Sequence, residues 1–291
     1  MAFAISMLGF RINLRYSIWI NEMNLKKPIN RVLQRLGLQL VKTNEDTNVR
    51  FENFANLANA FEYTLEQPEK RLPKNDIRHK LMARLLGTPP TEAYYIVRAL
   101  ADCAEVTGDI CEFGVAQGET SALIANEIKS HADKSLHLFD SFEGLPPPTE
   151  KDQLKDDIFK LGSIDAYAGT MSCPEDLVRN RLKAIEFPSQ RCVIHKGFIE
   201  ASLTDNIKLP KSVSFAYVDF DFYEPILIAL RFLDPITPSG AIIIVDDYDF
   251  FSTGAKVAVD EFVAQMNADS VQYRLSIPEK DFGHFAILSK C

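Results

Sequence analysis

Two closely spaced pairs of aspartates follow two apolar runs in the second half of the chain. Asp219 and Asp221 come after one run, and Asp246 and Asp247 come after the next. If these runs are neighbouring strands, four carboxylates meet at one edge of a sheet, where their repulsion needs a cation or a shared proton. Oxygen ligands without a histidine favour Mg²⁺ or a similar hard ion over zinc. Capping of the helices that follow is the alternative role for each aspartate.

A glycine-containing turn is the second candidate site. Glu112, Gly114 and Gly118 lie between an apolar run and a predicted helix, and glycines there let the backbone approach a ligand. Their spacing does not match the GxGxxG of dinucleotide-binding proteins. Asp140 lies 22 residues beyond Gly118, a distance at which an acid commonly accepts hydrogen bonds from ribose hydroxyls. These residues together indicate an adenosine-bearing cofactor, with tight packing as the alternative reading of the glycines.

Strands and helices alternate along the part of the chain that must position these residues. The sequence predicts strands over 109–115, 135–140, 191–195, 213–219 and 240–246, two late strands near 272–277 and 284–288, and helices over 91–106, 120–129, 176–185, 225–232 and 256–266. This alternation predicts an α/β fold with a doubly wound, mostly parallel, Rossmann-like sheet. The two late strands are close in sequence, which predicts an antiparallel edge. Ligands bind outside the carboxyl ends of such strands, where the candidate residues lie.

The composition limits the class of protein. The chain has 291 residues, with 32 Lys and Arg against 40 Asp and Glu, and a formal net charge of −8. Such an acidic chain lacks the basic field that nucleic-acid binding needs, so we expect no nucleic-acid partner. No run approaches the roughly 18 apolar residues of a membrane span. The five cysteines are scattered without a CxxC pair, which favours free thiols and a cytoplasmic location.

Three zones are predicted along the chain. Residues 1–43 form an appendage, 44–88 a helical connector and 89–291 the α/β domain. In the appendage, apolar residues recur at helical spacing among Lys and Arg over residues 26–42, which predicts a basic amphipathic helix. Docking on its own domain or on a second subunit is the favoured role of this helix, and contact with an anionic membrane surface is the alternative.

Several motifs resemble the macrocin O-methyltransferase (TylF-type) family, a branch of the class I S-adenosylmethionine-dependent methyltransferases. The matching stretches occur in family order: GDICEFGVAQGETS over residues 108–121, LFDSFEGLP over 138–146, HKGF over 195–198, DFDFYE over 219–224, GAIIIVDDY over 240–248 and AVDEF over 258–262. The second and fourth stretches carry most of the specificity, since a glycine turn alone is common to many folds.

The resemblance implies roles for individual residues. S-adenosylmethionine would be bound by Glu112, Gly114, Gly118, Thr120, Ser121, Asp140, Ser141, Phe142, Gly197, Phe198 and Asp219. Mg²⁺ would be held by Asp219, Asp246 and Asp247, and Asp221 would be the general base for the acceptor hydroxyl. The acceptor would be a sugar or a glycosylated small molecule, and family members often self-associate, which implies a homo-oligomer.

The chain departs from the family pattern in ways that concern the acceptor. Phe220 and Pro225 replace a small residue and a serine, and residues 147–172 have no clear match. These residues are a candidate lid over the acceptor, with a surface insertion as the alternative.

Three other functions are compatible with parts of the pattern. A metal-dependent glycosyltransferase could use Asp219 and Asp221 on a nucleotide-sugar diphosphate, but the glycine turn and Asp140 precede them in methyltransferase order. A nicotinamide oxidoreductase should contain GxGxxG. A non-catalytic scaffold would bind the cofactor and be recruited to a membrane-bound glycan assembly complex through its N-terminal helix.

Overall fold

The structure, a computed structural model, divides the chain into two compact units, residues 1–59 and 60–291. It describes residues 3–7, 10–12, 41–42, 75, 77–204 and 208–291. In the first unit, strand β1 (Phe3–Met7) pairs in antiparallel fashion with β2 (Phe10–Ile12) and with β3 (Val41–Lys42). The predicted amphipathic helix over residues 26–42 lies outside the described residues, apart from the two residues of β3. The three predicted zones stay a prediction.

The second unit contains one seven-stranded sheet with helices on both faces. The helices are α1 (Arg78–Met82), α2 (Pro90–Asp102), α3 (Glu119–Glu127), α4 (Glu175–Ala184), α5 (Ile199–Thr204), α6 (Tyr223–Leu233) and α7 (Gly254–Met266). The strands are β4 (Asp109–Phe113), β5 (Leu136–Asp140), β6 (Cys192–Lys196), β7 (Val213–Val218), β8 (Ile242–Val245), β9 (Tyr273–Ser276) and β10 (Ala286–Lys290). None of the described helices is long and apolar enough to cross a bilayer.

The strand order is β6-β5-β4-β7-β8-β10-β9. Strands β4 to β8 are parallel, and β10 pairs in antiparallel fashion with both β8 and β9. The predicted doubly wound sheet with an antiparallel edge is therefore confirmed. Among the α-helices and strands described over residues 89–291, α5 is the one that the sequence did not predict.

The central strands are buried on both faces, which explains their continuous apolar sequences. In β7, Phe215 and Tyr217 face the core under α2, α3 and α4, whereas Ala216 and Val218 face the core under α6 and α7. Each fully buried large side chain contributes about 2–3 kcal/mol through removal of apolar surface from water. The strand ends that carry the candidate residues are therefore held by a rigid, two-sided core.

The glycine turn lies directly against the loop that follows β7. A Cβ atom on Gly114 would lie 1.8 Å from the backbone oxygen of Asp219, and Gly114 has a φ of +82°. Both the contact and the left-handed backbone exclude other residues. Glycine at this position thus lets the turn and the aspartates share one edge of the sheet, where the strand order reverses between β4 and β7.

Residues 147–172, which we call the anchored segment, are packed onto the domain. The carboxylate of Asp152, which is 2% exposed, accepts hydrogen bonds from the backbone N–H of Tyr223 (2.7 Å) and of Thr149 (2.7 Å). The ring of Tyr167 is fully buried and stacks on Phe251 at 5.3 Å. The anchored segment therefore packs against the loops that follow β7 and β8.

We expect Asp152→Ala to lower the free energy of unfolding by about 2–4 kcal/mol. The substitution removes hydrogen bonds to a buried carboxylate that ties the anchored segment to the first turn of α6. Urea unfolding followed by circular dichroism measures the change. Glu150→Ala, an exposed neighbour, is the control and should unfold like the wild type. Equal stability of the two variants would mean that Asp152 does not hold the segment.

Candidate active site

Three of the four predicted aspartates converge beyond β7 and β8. Asp219, Asp221 and Asp247 each offer a carboxylate oxygen, and these oxygens all lie within 4.8 Å of one another. We call these residues the acidic cluster. Asp221 (φ 63°) and Asp247 (φ 56°) have left-handed backbones, which aspartate tolerates better than most residues. Such conformations cost about 1 kcal/mol or more, and they occur most often at functional sites.

The fourth aspartate, Asp246, is adjacent to the acidic cluster but is not one of its three members. Its Oδ2 accepts a hydrogen bond from the hydroxyl of Tyr217 at 2.6 Å, and its Oδ1 accepts the backbone N–H of Asp247 at 2.7 Å. Oε1 of Glu92, on the first turn of α2, lies 3.1 Å from the same Tyr217 hydroxyl. The structure thus brings Asp221, the predicted base, to the place in the cluster where the resemblance put Asp246.

Burial dominates the electrostatics of the acidic cluster. Removal from water raises the pKa of Asp219 well above its usual value, and the charges of Asp246 and Asp247 raise it further. The pKa of Asp221 is raised in the same way, by burial and then by Asp219. Burial followed by the charge of Asp246 also raises the pKa of Asp247. A bound cation would reverse these shifts because it favours the ionised carboxylates.

Among the described residues, ion pairs with lysine or arginine do not neutralise these groups. In the part of the chain that the structure describes, no lysine or arginine forms an ion pair with any of the seven carboxyl groups at this edge of the sheet. The seven are Glu92, Glu112, Asp140, Asp219, Asp221, Asp246 and Asp247. The edge is therefore suited to cationic ligands.

Glu112 adds a further buried acid to this edge, at the end of β4. The side chain is 1% exposed, and neither carboxyl oxygen has a hydrogen-bond partner. Burial raises the pKa of Glu112 to about 8, and the charge of Asp140 adds to the shift. The hydroxyl of Ser121 is also buried without a hydrogen-bond partner. Unpartnered buried polar atoms are costly, so this pair fits a ligand with a cationic donor such as an ammonium group.

Asp140 ties the glycine turn to the end of β5. Its Oδ2 accepts the backbone N–H groups of Val115 (2.7 Å) and Ala116 (3.0 Å). Its Oδ1 accepts the N–H of Phe142 at 2.6 Å. A carboxylate offers about four acceptor positions, so Asp140 shapes the turn and keeps capacity for a ribose hydroxyl.

The other predicted cofactor residues occupy the same edge. The Thr120 hydroxyl lies 3.1 Å from that of Thr88, and the Ser141 hydroxyl donates a hydrogen bond to a backbone oxygen. The backbone N–H of Gly197 donates a hydrogen bond to the backbone oxygen of Asp140 at 3.0 Å. Phe198, beyond β6, has an exposed ring. Their roles toward the cofactor stay a prediction.

Gly118 has a structural reason of its own. It precedes α3 with a φ of +79°, and a Cβ atom there would approach Val178 of α4 to 3.1 Å. The glycine therefore permits both the left-handed turn and the close packing of α3 and α4.

Glu92 and Tyr217 were missed by the sequence analysis. Glu92 looks like an ordinary acid in the first turn of a helix, and Tyr217 looks like one more apolar residue of a buried strand. Neither position carries a sequence signal, because the two residues meet across 125 positions of the chain.

Three features together define a class of protein. They are the strand order, the glycine turn at the point where that order reverses, and Asp140 at the end of β5. They are the features of a Rossmann-like methyltransferase that binds S-adenosylmethionine across the carboxyl ends of the central strands.

The family follows from a direct match. Residues 94–273, more than half of the chain, match the family described as Macrocin-O-methyltransferase (TylF). The chain belongs to this family, as the motifs in the sequence predicted, and it is an S-adenosylmethionine-dependent O-methyltransferase.

Solved structures share the fold. The O-methyltransferase NovP is 21% identical with a TM-score of 0.58, over 69% of this chain and 80% of NovP. CalS11, a calicheamicin methyltransferase, is 19% identical with a TM-score of 0.57, over 94% of this chain and 99% of CalS11. At these identities the likeness supports the fold alone. A comparison with curated proteins gives no match.

The raised pKa of Glu112 predicts a pH-dependent stability difference. The folded protein keeps the Glu112 proton between the usual value near 4.5 and about 8, so this residue costs stability progressively as the pH rises through that window. Glu112→Gln has no such proton. Relative to the wild type, we expect its free energy of unfolding to rise by up to about 4 kcal/mol between pH 5 and pH 8.

Urea unfolding without cofactor at pH 5, 6.5 and 8 tests this expectation. Glu150→Gln, on the surface, is the control and should parallel the wild type. A difference between Glu112→Gln and the wild type that stays constant with pH would contradict the raised pKa.

Proposed function

We propose that this protein transfers a methyl group from S-adenosylmethionine to a hydroxyl group of a sugar or of a glycosylated small molecule, with Mg²⁺ bound beside the acceptor. One observation carries the proposal: beside a glycine turn meet seven carboxyl groups that form no ion pair with a lysine or arginine among the described residues. A cationic methyl donor and a divalent cation together supply the missing positive charge.

On the cofactor side, the chain supplies the groups that orient the methyl donor. Glu112 and Ser121 have free acceptor atoms for its ammonium group, and Asp140 has acceptor capacity for its ribose. S-adenosylmethionine brings an already activated methyl group, so the chain's task is to hold the acceptor oxygen in line with it and to exclude water.

On the metal side, Asp219 and Asp247 are the ligands on which the resemblance and the geometry of the acidic cluster agree. Asp246 would complete the set through the acceptor positions that its two hydrogen bonds leave open. When bound, the cation supplies positive charge that lowers the pKa of a neighbouring hydroxyl. These hard oxygen ligands suit Mg²⁺.

Asp221 is the proposed general base. It is the buried member of the acidic cluster, and its left-handed backbone directs its carboxylate to the same point as those of Asp219 and Asp247. A sugar hydroxyl is a poor nucleophile until its proton is removed. Asp221 would accept that proton as the oxygen bonds to the methyl carbon and the bond between this carbon and the sulfur of the donor breaks, which leaves S-adenosylhomocysteine. The Ser252 hydroxyl donates a hydrogen bond to the Asp221 backbone oxygen at 3.1 Å and so supports the loop.

The sugar acceptor is supported by the names of related proteins and by the site. The family carries the name macrocin O-methyltransferase, and CalS11 is described as a TDP-rhamnose 3′-O-methyltransferase. A divalent cation beside a carboxylate base suits an unactivated alcohol, which needs help to lose its proton. The anchored segment would shield this alcohol from water.

The cellular setting is proposed on more general grounds. All five cysteines are free, as we would expect in the reducing cytoplasm. Self-association and contact through residues 26–42 remain predictions from the sequence.

Titration calorimetry with S-adenosylmethionine tests the cofactor site. We expect the wild type to bind, and Asp140→Ala to bind at least about tenfold more weakly because it loses charged hydrogen bonds to the ribose and to the glycine turn. Asp133→Ala, an exposed aspartate before β5, is the control. Binding of NAD(P) or of a nucleotide-sugar in place of S-adenosylmethionine would refute the proposal.

Release of S-adenosylhomocysteine in the presence of TDP-sugars and glycosides tests the reaction. We expect EDTA to abolish turnover and Mg²⁺ to restore it. Asp221→Asn should lower kcat by about 10²–10⁴ because the base is lost, while the affinity for S-adenosylmethionine stays within about twofold. Full turnover in EDTA would exclude the metal, and an unchanged kcat in Asp221→Asn would exclude this base.

A further inference from the structure

A buried hydrogen-bond network lies next to the acidic cluster, and two of its three members, Glu92 and Tyr217, have no part in the chemistry described so far. It consists of Glu92 from α2, Tyr217 from β7 and Asp246 from the end of β8. The Tyr217 hydroxyl lies 2.6 Å from Oδ2 of Asp246 and 3.1 Å from Oε1 of Glu92. Glu92 and Tyr217 are fully buried.

The network continues into the acidic cluster through the backbone. While Tyr217 binds one oxygen of Asp246, the other oxygen accepts the N–H of Asp247. Asp247 is in the left-handed region, a conformation that surrounding contacts must maintain. The orientation of the Asp246 carboxylate therefore bears directly on the direction in which the Asp247 carboxylate points.

A second contact holds the network from the opposite side. Gly283, in the connection between β9 and β10, approaches Glu92 so closely that a Cβ atom there would lie 3.2 Å from Oε2. The side chain of Glu92 thus lies between its own helix, α2, and this connection. Three apolar side chains of similar volume would cost less to bury than two carboxylic acids and a phenol, so stability alone is a poor reason for the network.

We propose that Glu92 and Tyr217 are positioning residues for metal binding, which hold Asp246 by hydrogen bonds so that Asp246 in turn fixes Asp247 in the acidic cluster. This inference rests on the proposed function, since it assumes that the cluster binds a divalent cation. Neither residue touches the reacting atoms. Loss of such outer hydrogen bonds typically weakens metal binding about 10–100-fold.

The experiment measures Mn²⁺ affinity by calorimetry, together with the affinity for S-adenosylmethionine and the melting temperature, in the full-length protein. We expect Tyr217→Phe and Glu92→Ala to weaken Mn²⁺ binding about tenfold or more. Their affinity for S-adenosylmethionine should stay within about twofold. Glu92→Gln keeps the shape and the hydrogen-bonding capacity of the side chain, so its Mn²⁺ affinity should stay within about threefold of the wild type.

Tyr273→Phe is the matched control. Tyr273 is equally buried, and its hydroxyl donates a hydrogen bond to Asp234 at 2.9 Å, but it lies on β9 at the far edge of the sheet. Tyr273→Phe should lower the melting temperature about as much as Tyr217→Phe does, and its Mn²⁺ affinity should equal that of the wild type. If Glu92→Ala does not fold, Tyr217→Phe, which removes a single oxygen atom, decides the question.

The contrary results are distinguishable. Wild-type Mn²⁺ affinity in Tyr217→Phe overturns the positioning role and leaves the proposed function intact. Equal weakening in Glu92→Gln and Glu92→Ala also overturns it, because the charge of Glu92 would then matter more than its hydrogen bonds. Absence of Mn²⁺ binding by the wild type overturns both the metal site and this inference.

Discussion

The mutual repulsion of buried carboxylates is the constraint on which the site depends. Burial and neighbouring negative charges raise the pKa of each member of the acidic cluster. Side chains of this kind stay together at one edge of a sheet only if the chain holds them there and either retained protons or a bound cation relieve their repulsion. Glu112, on the proposed cofactor side, also lacks a positively charged partner among the described residues, so the proposed methyl-donor site and the proposed cation site share one region of unbalanced negative charge.

The packed core and a few residues with special backbone conformations hold these carboxylates in place. The strands end in a core that is packed on both faces, and left-handed backbones at Asp221 and Asp247 direct the side chains inward. Gly114 allows the glycine turn to touch the backbone of Asp219. These conformations carry a cost in stability that the sheet can bear because its interior is well packed.

The anchored segment connects the site to its surroundings. Its hydrogen bonds reach the first turn of α6 through Asp152 and the loop after β8 through Ser252, which also binds the backbone of Asp221. Because the anchored segment is bound to both acidic loops, it would shape the proposed acceptor site and restrict the movement of Asp221, the proposed base. In this family the acceptor must be held in line with the methyl group, so rigidity here serves alignment.

The sequence by itself determined the order of strands and helices, the glycine turn, the position of the acids at the carboxyl ends of strands, and the family. These features depend on periodicity and on motifs within a few residues of one another. The tertiary structure alone decided that Asp221 joins the acidic cluster while Asp246 turns toward Tyr217 and Glu92. The physical reason is that a side chain at a strand end takes its direction from single backbone angles and from partners far along the chain, and neither leaves a local pattern.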